Sequence, residues 1–237
     1  MINFTSKFDI KSKHIGFFIS DKLDLVNSSN LPESIFSKIA IFLKKTSKME
    51  DKKILSYDLS EDQKCFFIVV KKKLDTHEIN NLGASLKSTI VSDKSIKKIN
   101  FFGKLQFLND KKLEERFLKE FAYGFELKSY VFEKYKSKKK VNIQSLELTV
   151  SNTSYYEASY KYLSSIKEGV YLTRDLVSEP PNILNPKRYV EEIKKLSKLG
   201  LKIEILNEAK LKELGMNSLL GVGQGSKNET FLVVIKW

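Results

Sequence analysis

"KCFFIVVK", residues 64 to 71, sets six consecutive apolar side chains between lysines. A strand with one wet face alternates apolar and polar residues, whereas a strand covered on both faces reads as an unbroken apolar run. The residues are mostly β-branched or aromatic, which favours a strand, and the run is far short of the ~20 residues that span a bilayer. We read it as a central strand of a sheet covered on both sides. Upstream, "HIGFFIS" (14–20) is a second buried run, and "KILSY" (53–57) adds a strand. Between them Pro32 opens a helix in which Ile35, Phe36, Ile39, Phe42 and Leu43 recur at helical spacing. Downstream, Asp75 with Glu78 forms a capping box for a helix reaching about Ile90. "KKINFFG" (97–103) and "SLELTV" (145–150) read as strands. A long helix starts near Lys112 between them, with Leu113, Phe117, Phe121 and Phe125 near one face. Strands alternating with helices predict the α/β class: a mixed or parallel sheet with helices on its faces.

The rest of the chain opens with a long helix, about Ser154 to Val177, whose stripe is Leu163, Ile166, Val170, Thr173 and Val177. Pro180 and Pro181 end it, because neither offers a backbone N–H and each biases its predecessor away from helix. Asn185 then caps a new helix with Pro186 in its first position. Val190, Ile193, Leu196 and Leu199 form its apolar face, and Gly200 stops it. "LKIEIL" (201–206) alternates like a strand, Asn207 caps a short helix ended by Gly215, and "FLVVIKW" (231–237) is a last strand.

Composition bounds the function. With 41% hydrophobic residues in 237, a core forms and wholesale disorder is excluded. The single cysteine, Cys65, permits no internal disulfide, and the first residues lack the apolar stretch of a secretory signal. The expectation is a cytoplasmic protein without membrane contact. The net charge of +13 raises nucleic acid as a partner. Arginine, which phosphate and base recognition favour, occurs only at 116, 174 and 188, however. The lysines are scattered apart from "KYKSKKK" (134–140), so a solvated basic surface is the simpler account, with DNA as a secondary possibility. Ten of the thirteen net charges fall before residue 151, and glycine and proline become denser after it, which marks a boundary near 150.

The residues offer little chemistry. His14, His77 and Cys65 show no paired metal-ligand spacing. A Cys–His nucleophile pair would need elements far apart in sequence to meet. "GVGQGS" (221–226) has the glycines of a phosphate loop but lacks the strand before and the helix after it, so it reads as a tight turn feeding the last strand. Gly16, Gly83, Gly103 and Gly124, the glycines of the first 150 residues, are isolated, which argues against a phosphate cradle there.

Three segments do carry a resemblance. They are "GFELKSYVFEKYKSKKK" (124–140), with Gly124, Leu127, Tyr130, Phe132, Tyr135 and Lys136; "TRDLVSEPPNILNPKRYVEEI" (173–193); and "LNEAKLKELGMNSLLGVGQGS" (206–226). In this order and spacing they resemble the leucyl aminopeptidase family, also called cytosol aminopeptidases, over roughly residues 100 to 237. Ser178 stands where the family's elbow has Asn, and "KNET" (227–230) replaces a proline-containing stretch. The resemblance implies a macro-like α/β N-terminal domain (1–150), a connecting helix (151–178) and a catalytic α/β domain that starts at 179–237. It also implies hydrolysis of N-terminal peptide bonds by two divalent cations, manganese or zinc, in hexameric assemblies whose bacterial members sometimes bind DNA. The family's cation ligands lie in a Gly-Lys-Gly…Phe-Asp-x-Gly-Gly motif and an Asn-Thr-Asp-Ala-Glu-Gly-Arg motif, and neither occurs in this sequence. No catalytic, metal or cofactor-binding residue is therefore assigned, Lys236 included, and no metal is expected on this chain. The chain is expected to be a part of such an enzyme, inactive alone. A non-catalytic basic module that binds nucleic acid or a partner subunit is the alternative. On this view the last strand lacks a sheet partner, and apolar residues from Leu219 to Trp237 are exposed.

Overall fold

The computed structural model describes residues 1–23, 25, 31–46, 52–105, 107–108, 110–137 and 144–237. It divides into two compact units, Met1–Tyr171 and Leu172–Trp237.

The first unit is built on six strands: β1 (Ile2–Thr5), β2 (His14–Ser20), β3 (Ile54–Ser60), β4 (Gln63–Val70), β5 (Lys98–Phe102) and β6 (Ser145–Thr149). Their order is β1-β6-β5-β2-β4-β3. All pairings are parallel except the hairpin of β3 with β4. The apolar run at 65–70 is thus an interior strand, as its composition requires. It sends Cys65 and Phe67 to one face and Phe66, Ile68 and Val70 to the other, and all five are buried. β1 escaped the sequence reading because four residues with one buried apolar side chain, Phe4, give no periodic signal.

Two helices, α2 (Thr76–Ile90) and α3 (Lys111–Lys128), lie against one face of the sheet, and α1 (Glu33–Thr46) contributes Ile39 and Leu43 to the core on the other. The capping box of Asp75 with Glu78 is present: the Glu78 amide donates to Asp75 Oδ1 at 2.8 Å, and the Asp75 amide donates to Glu78 Oε2 at 3.0 Å. The α3 stripe of Phe117, Phe121 and Phe125 is buried, and Phe18 meets Phe117 and Phe121 edge to face at 5.3 and 5.1 Å. Where α2 crosses α3, two glycines face each other's backbones. A methyl at Gly124 would overlap the Asn80 carbonyl oxygen and come within 2.6 Å of its Cα; one at Gly83 would overlap Phe121 O and come within 2.8 Å of Phe125 N. Gly16 leaves room for the Phe101 ring and Gly103 for the Thr149 carbonyl. Packing thus accounts for all four glycines of this part of the chain.

The helix α4 (Thr153–Ser178) follows, close to its expected bounds. Its buried side differs from the expected stripe. Tyr156 and Tyr160 are buried beside Phe4, whereas Ile166 and Val177 are exposed, Val177 by 82%. Tyrosine can bury its ring and still satisfy its hydroxyl, and here the hydroxyl partner decides the face. Tyr160 donates to Glu126 Oε2 on α3 at 2.8 Å, Lys167 Nζ donates to the same oxygen at 3.3 Å, and the Tyr171 hydroxyl donates to the Glu126 carbonyl. Positions 160, 167 and 171 share one helical face, so a single residue of α3 clamps three turns of α4. Tyr130, from the first of the three segments above, packs on Tyr171 at 5.1 Å.

The second unit holds α5 (Pro186–Lys194), a 3₁₀ turn (Lys195–Leu199), β7 (Lys202–Leu206), α6 (Glu208–Glu213), α7 (Asn217–Gly223) and β8 (Leu232–Lys236). Gly200 ends the 3₁₀ turn at φ 91°, and Gly215 follows α6 at φ 69°. β8 pairs antiparallel with β7, which corrects the expectation of an unpartnered last strand: the polar–apolar alternation of "LKIEIL" suits a two-stranded ribbon. The expected exposure is present in part: Leu219, Val222, Ile235 and Trp237 are exposed, whereas Leu220 and Phe231 to Val234 are half-buried.

Candidate functional site

Within the second unit an elbow follows α4. α4 ends at Ser178, and the Pro180 carbonyl accepts from the amides of Ile183 and Leu184, each at 2.9 Å. Asn185 Oδ1 then accepts the Arg188 amide at 3.1 Å, with Pro186 inside the first turn of α5. Asn207 repeats the device on α6 by accepting the Lys210 amide at 3.1 Å. Replacing Asn207 by alanine is expected to destabilise the second unit by about 1 kcal/mol, read as an earlier loss of its helical signal in a urea titration.

"GVGQGS" forms the expected tight turn only in its second half, where the Ser226 amide donates to the Gly223 carbonyl at 3.0 Å. Its first three residues complete α7, and the bend comes after them. A methyl at Gly223 would overlap Thr230 Oγ1, while at Gly221 and Gly225 it would meet nothing within 4 Å. Glu208 Oε1 accepts the Thr230 amide at 3.0 Å and ties the approach to β8 to the first turn of α6. Gly223 therefore serves the close approach of the chain to itself. α7 was missed because Gly221 and Gly223 lower helix propensity and suggest a loop.

The other candidate residues stay apart. Cys65 is fully buried, and burial pushes its thiol well above the ordinary range. It stands beside Ile15 on β2, whereas His14 stands beside Lys64 and so faces the opposite side of the sheet. No Cys–His pair forms. His14 is half-buried; desolvation lowers its pKa, against the charge of Asp93. His77 is exposed in the first turn of α2. In "KYKSKKK", Lys136 pairs with Glu133 at 3.5 Å and Lys134 lies 5.6 Å from the Tyr135 ring centre; residues 138–140 lie outside the described residues. Lys236 pairs with Glu204 at 3.2 Å across the β7–β8 ribbon, both side chains more than half exposed.

Among the described residues no group of three or more His, Cys, Asp or Glu side chains could hold a metal ion. The described residues do not fit a dinuclear centre, and no hydrolytic step is derived through one. Nor, among the described residues, is any helix long and apolar enough to cross a membrane.

Comparison with known proteins locates this scaffold. Residues 171–237 match the family described as cytosol aminopeptidase family, catalytic domain. A probable cytosol aminopeptidase of Phytoplasma mali is 46% identical over 123 residues, 49% of this chain and 25% of that protein. One from Wolbachia pipientis wMel is 47% identical over 122 residues, 49% and 24% of the respective chains. The matched stretch thus spans about a quarter of those relatives' length. A mutant of tomato leucine aminopeptidase superposes with a TM-score of 0.79 at 18% identity, covering 99% of this chain and 50% of the tomato chain. The bottromycin maturation enzyme BotP in complex with Mn gives 0.66 at 16% identity, covering 94% and 44%. The likeness in structure shows the fold, α/β with a mostly parallel sheet; the likeness in sequence shows that this chain is related to the cytosol aminopeptidases and carries sequence of their catalytic domain from residue 171 to Trp237.

Proposed function

We propose that this chain is part of a cytoplasmic, metal-dependent leucyl aminopeptidase that removes N-terminal residues from peptides. In this reading residues 1–150 are a macro-like N-terminal domain, 151–178 a connecting helix, and 179–237 the start of the catalytic domain. The assembly is a homo-oligomer, hexameric as in the family, and two divalent ions, manganese or zinc, supply the activated water. The observation that carries the reading is the match of residues 171–237 to the family's catalytic domain. The metal-ligand motifs that the resemblance calls for do not occur among the 237 residues. Two cations need several deprotonated ligands in fixed geometry, so the polypeptide acting alone is inactive.

The reading is tested by exchange. Residues 171–237 are put in place of the matching segment of the Phytoplasma mali protein, and hydrolysis of leucine amide is measured with manganese. The chimera is expected to stay within about tenfold of the parent, a difference of ~1.4 kcal/mol in barrier. A folded chimera without turnover would show that this segment does not serve that chemistry.

A further inference from the structure

β1 stands at the end of the sheet and pairs with β6 alone among the described residues. The pairing fixes which of its backbone groups are used. The Leu146 amide donates to the Met1 carbonyl at 3.0 Å, and the Val150 amide donates to the Thr5 carbonyl at 2.8 Å. In a parallel ladder alternate residues of a strand face the neighbour, so residues 1, 3 and 5 face β6 while the N–H and C=O of Ile2 and Phe4 point to the open edge. Two donors and two acceptors are thus presented in the spacing of a strand.

The edge borders a groove of about 300 Å³ between β1 and α4, lined by Ile2, Phe4, Glu157, Tyr160, Lys161 and Ser164. Glu157 and Lys161 lie one turn apart on α4, yet neither side chain has an ion-pair partner among the described residues. Natural edges are blunted by shortness, proline, a bulge or an inward charge; β1 is short, four residues, but has none of the others, and "INFT" runs in uninterrupted register with β6. The lysines at 7, 11 and 13 fall after the strand.

We propose that this edge binds an extended peptide segment by strand addition, with the peptide backbone on Ile2 and Phe4 and its charged side chains on Glu157 and Lys161. The unpaired groups specify the occupant. Backbone donors and acceptors at strand spacing are met by another extended backbone, and one acidic and one basic side chain on the groove wall select a peptide carrying both charges. This surface does not depend on the aminopeptidase reading, since it lies wholly within the first unit.

The test uses the whole 237-residue chain and a displayed library of random peptides of about eight residues, the length of an ordinary strand. Enriched sequences are synthesised with blocked ends and measured by fluorescence anisotropy. Enrichment of sequences bearing both charges is expected. Ile2→Pro removes one outward N–H and leaves the ladder to β6 intact, so it is expected to weaken binding at least about tenfold. Lys161→Glu, an exposed change, is expected to shift the enriched sequences toward positive charge. On the unaltered chain, peptide addition is expected to slow hydrogen exchange at the Ile2 and Phe4 amides. No enriched sequence, binding indifferent to Ile2→Pro in a folded protein, or unchanged exchange at those amides overturns the proposal. So does a concentration-dependent dimer that blocks peptide binding, which would assign the edge to a second copy.

Discussion

Gly124→Ala is expected to destabilise the first unit by about 3 kcal/mol, even though alanine is the better helix former. The intrinsic preference for alanine within a helix is worth about 1 kcal/mol. It is outweighed because the new methyl would overlap the Asn80 carbonyl and lie 2.6 Å from that residue's Cα, and backbone cannot rotate aside as a side chain can. α2 and α3 must therefore separate, which loosens Ile79, Leu86, Phe121 and Phe125 in the buried cluster between them. Gly169→Ala supplies the contrast. It too lies inside a helix, but a methyl there meets nothing within 4 Å, so the same substitution should stabilise by about 0.5–1 kcal/mol. Urea midpoints of the two variants should move in opposite directions. If both rise, the close crossing of α2 and α3 is not a constraint on the fold.

Glu126→Ala is expected to cost about 3 kcal/mol, because it leaves the buried Tyr160 phenol without its acceptor and the Lys167 ammonium with Glu168 alone, at 3.2 Å. Glu126→Gln keeps an acceptor for Tyr160 and removes only the charge, so a smaller loss is expected. The clamp also fixes a pH dependence. Burial opposes the charge on Lys167, but Glu126 and Glu168 outweigh it and hold the ammonium above its ordinary range. Burial, followed by the charge of Glu126, raises the Tyr160 phenol; burial, followed by Glu114 and Glu115, raises Tyr156. All three have folded values above their unfolded ones. Their contribution is whole below the ordinary tyrosine and lysine values, and it is lost as pH rises beyond about 10. Exchange protection along α4 should fall in alkali before that of the central strands, and Glu126→Ala should remove only the part of that pH dependence that its carboxylate adds at Lys167 and Tyr160, leaving the part due to burial. A flat alkaline profile in the unaltered chain would rule the clamp out.

The parts of the fold that were legible in sequence are those where one residue type has one physical use. Uninterrupted apolar runs placed β2 and β4 inside the sheet, Asp75 with Glu78 marked the start of α2, and Asn185 with Pro186 marked that of α5. What failed did so because side chains have two ends. The face of α4 was predicted from aliphatic spacing, yet the helix turns on tyrosines and a lysine that bury their stems around Glu126, and a carboxylate forty residues away leaves no periodic trace. β1 is too short to be seen locally and exists because β6 offers it a ladder. At the candidate site, Gly223 does open a turn, but its need to be glycine left no trace, because its partner, Thr230, acts only after the chain has come back on itself. Gly124 and Tyr130, two residues of the stretch that carries the resemblance, have a physical use in the structure: one permits the α2–α3 crossing, and the other packs on Tyr171 at the root of the family-matched segment.

Among the described residues of this scaffold, which is similar to the cytosol aminopeptidases, no group of three or more His, Cys, Asp or Glu side chains could hold a metal ion, and the proposal is that the chain alone is inactive. The direct measurement is hydrolysis of leucine amide by the purified 237-residue chain with manganese, with and without a chelator. No turnover above the metal-only blank is predicted. Sustained turnover that the chelator abolishes would contradict it, and would mean that ligands for two cations are assembled from residues given no such role above.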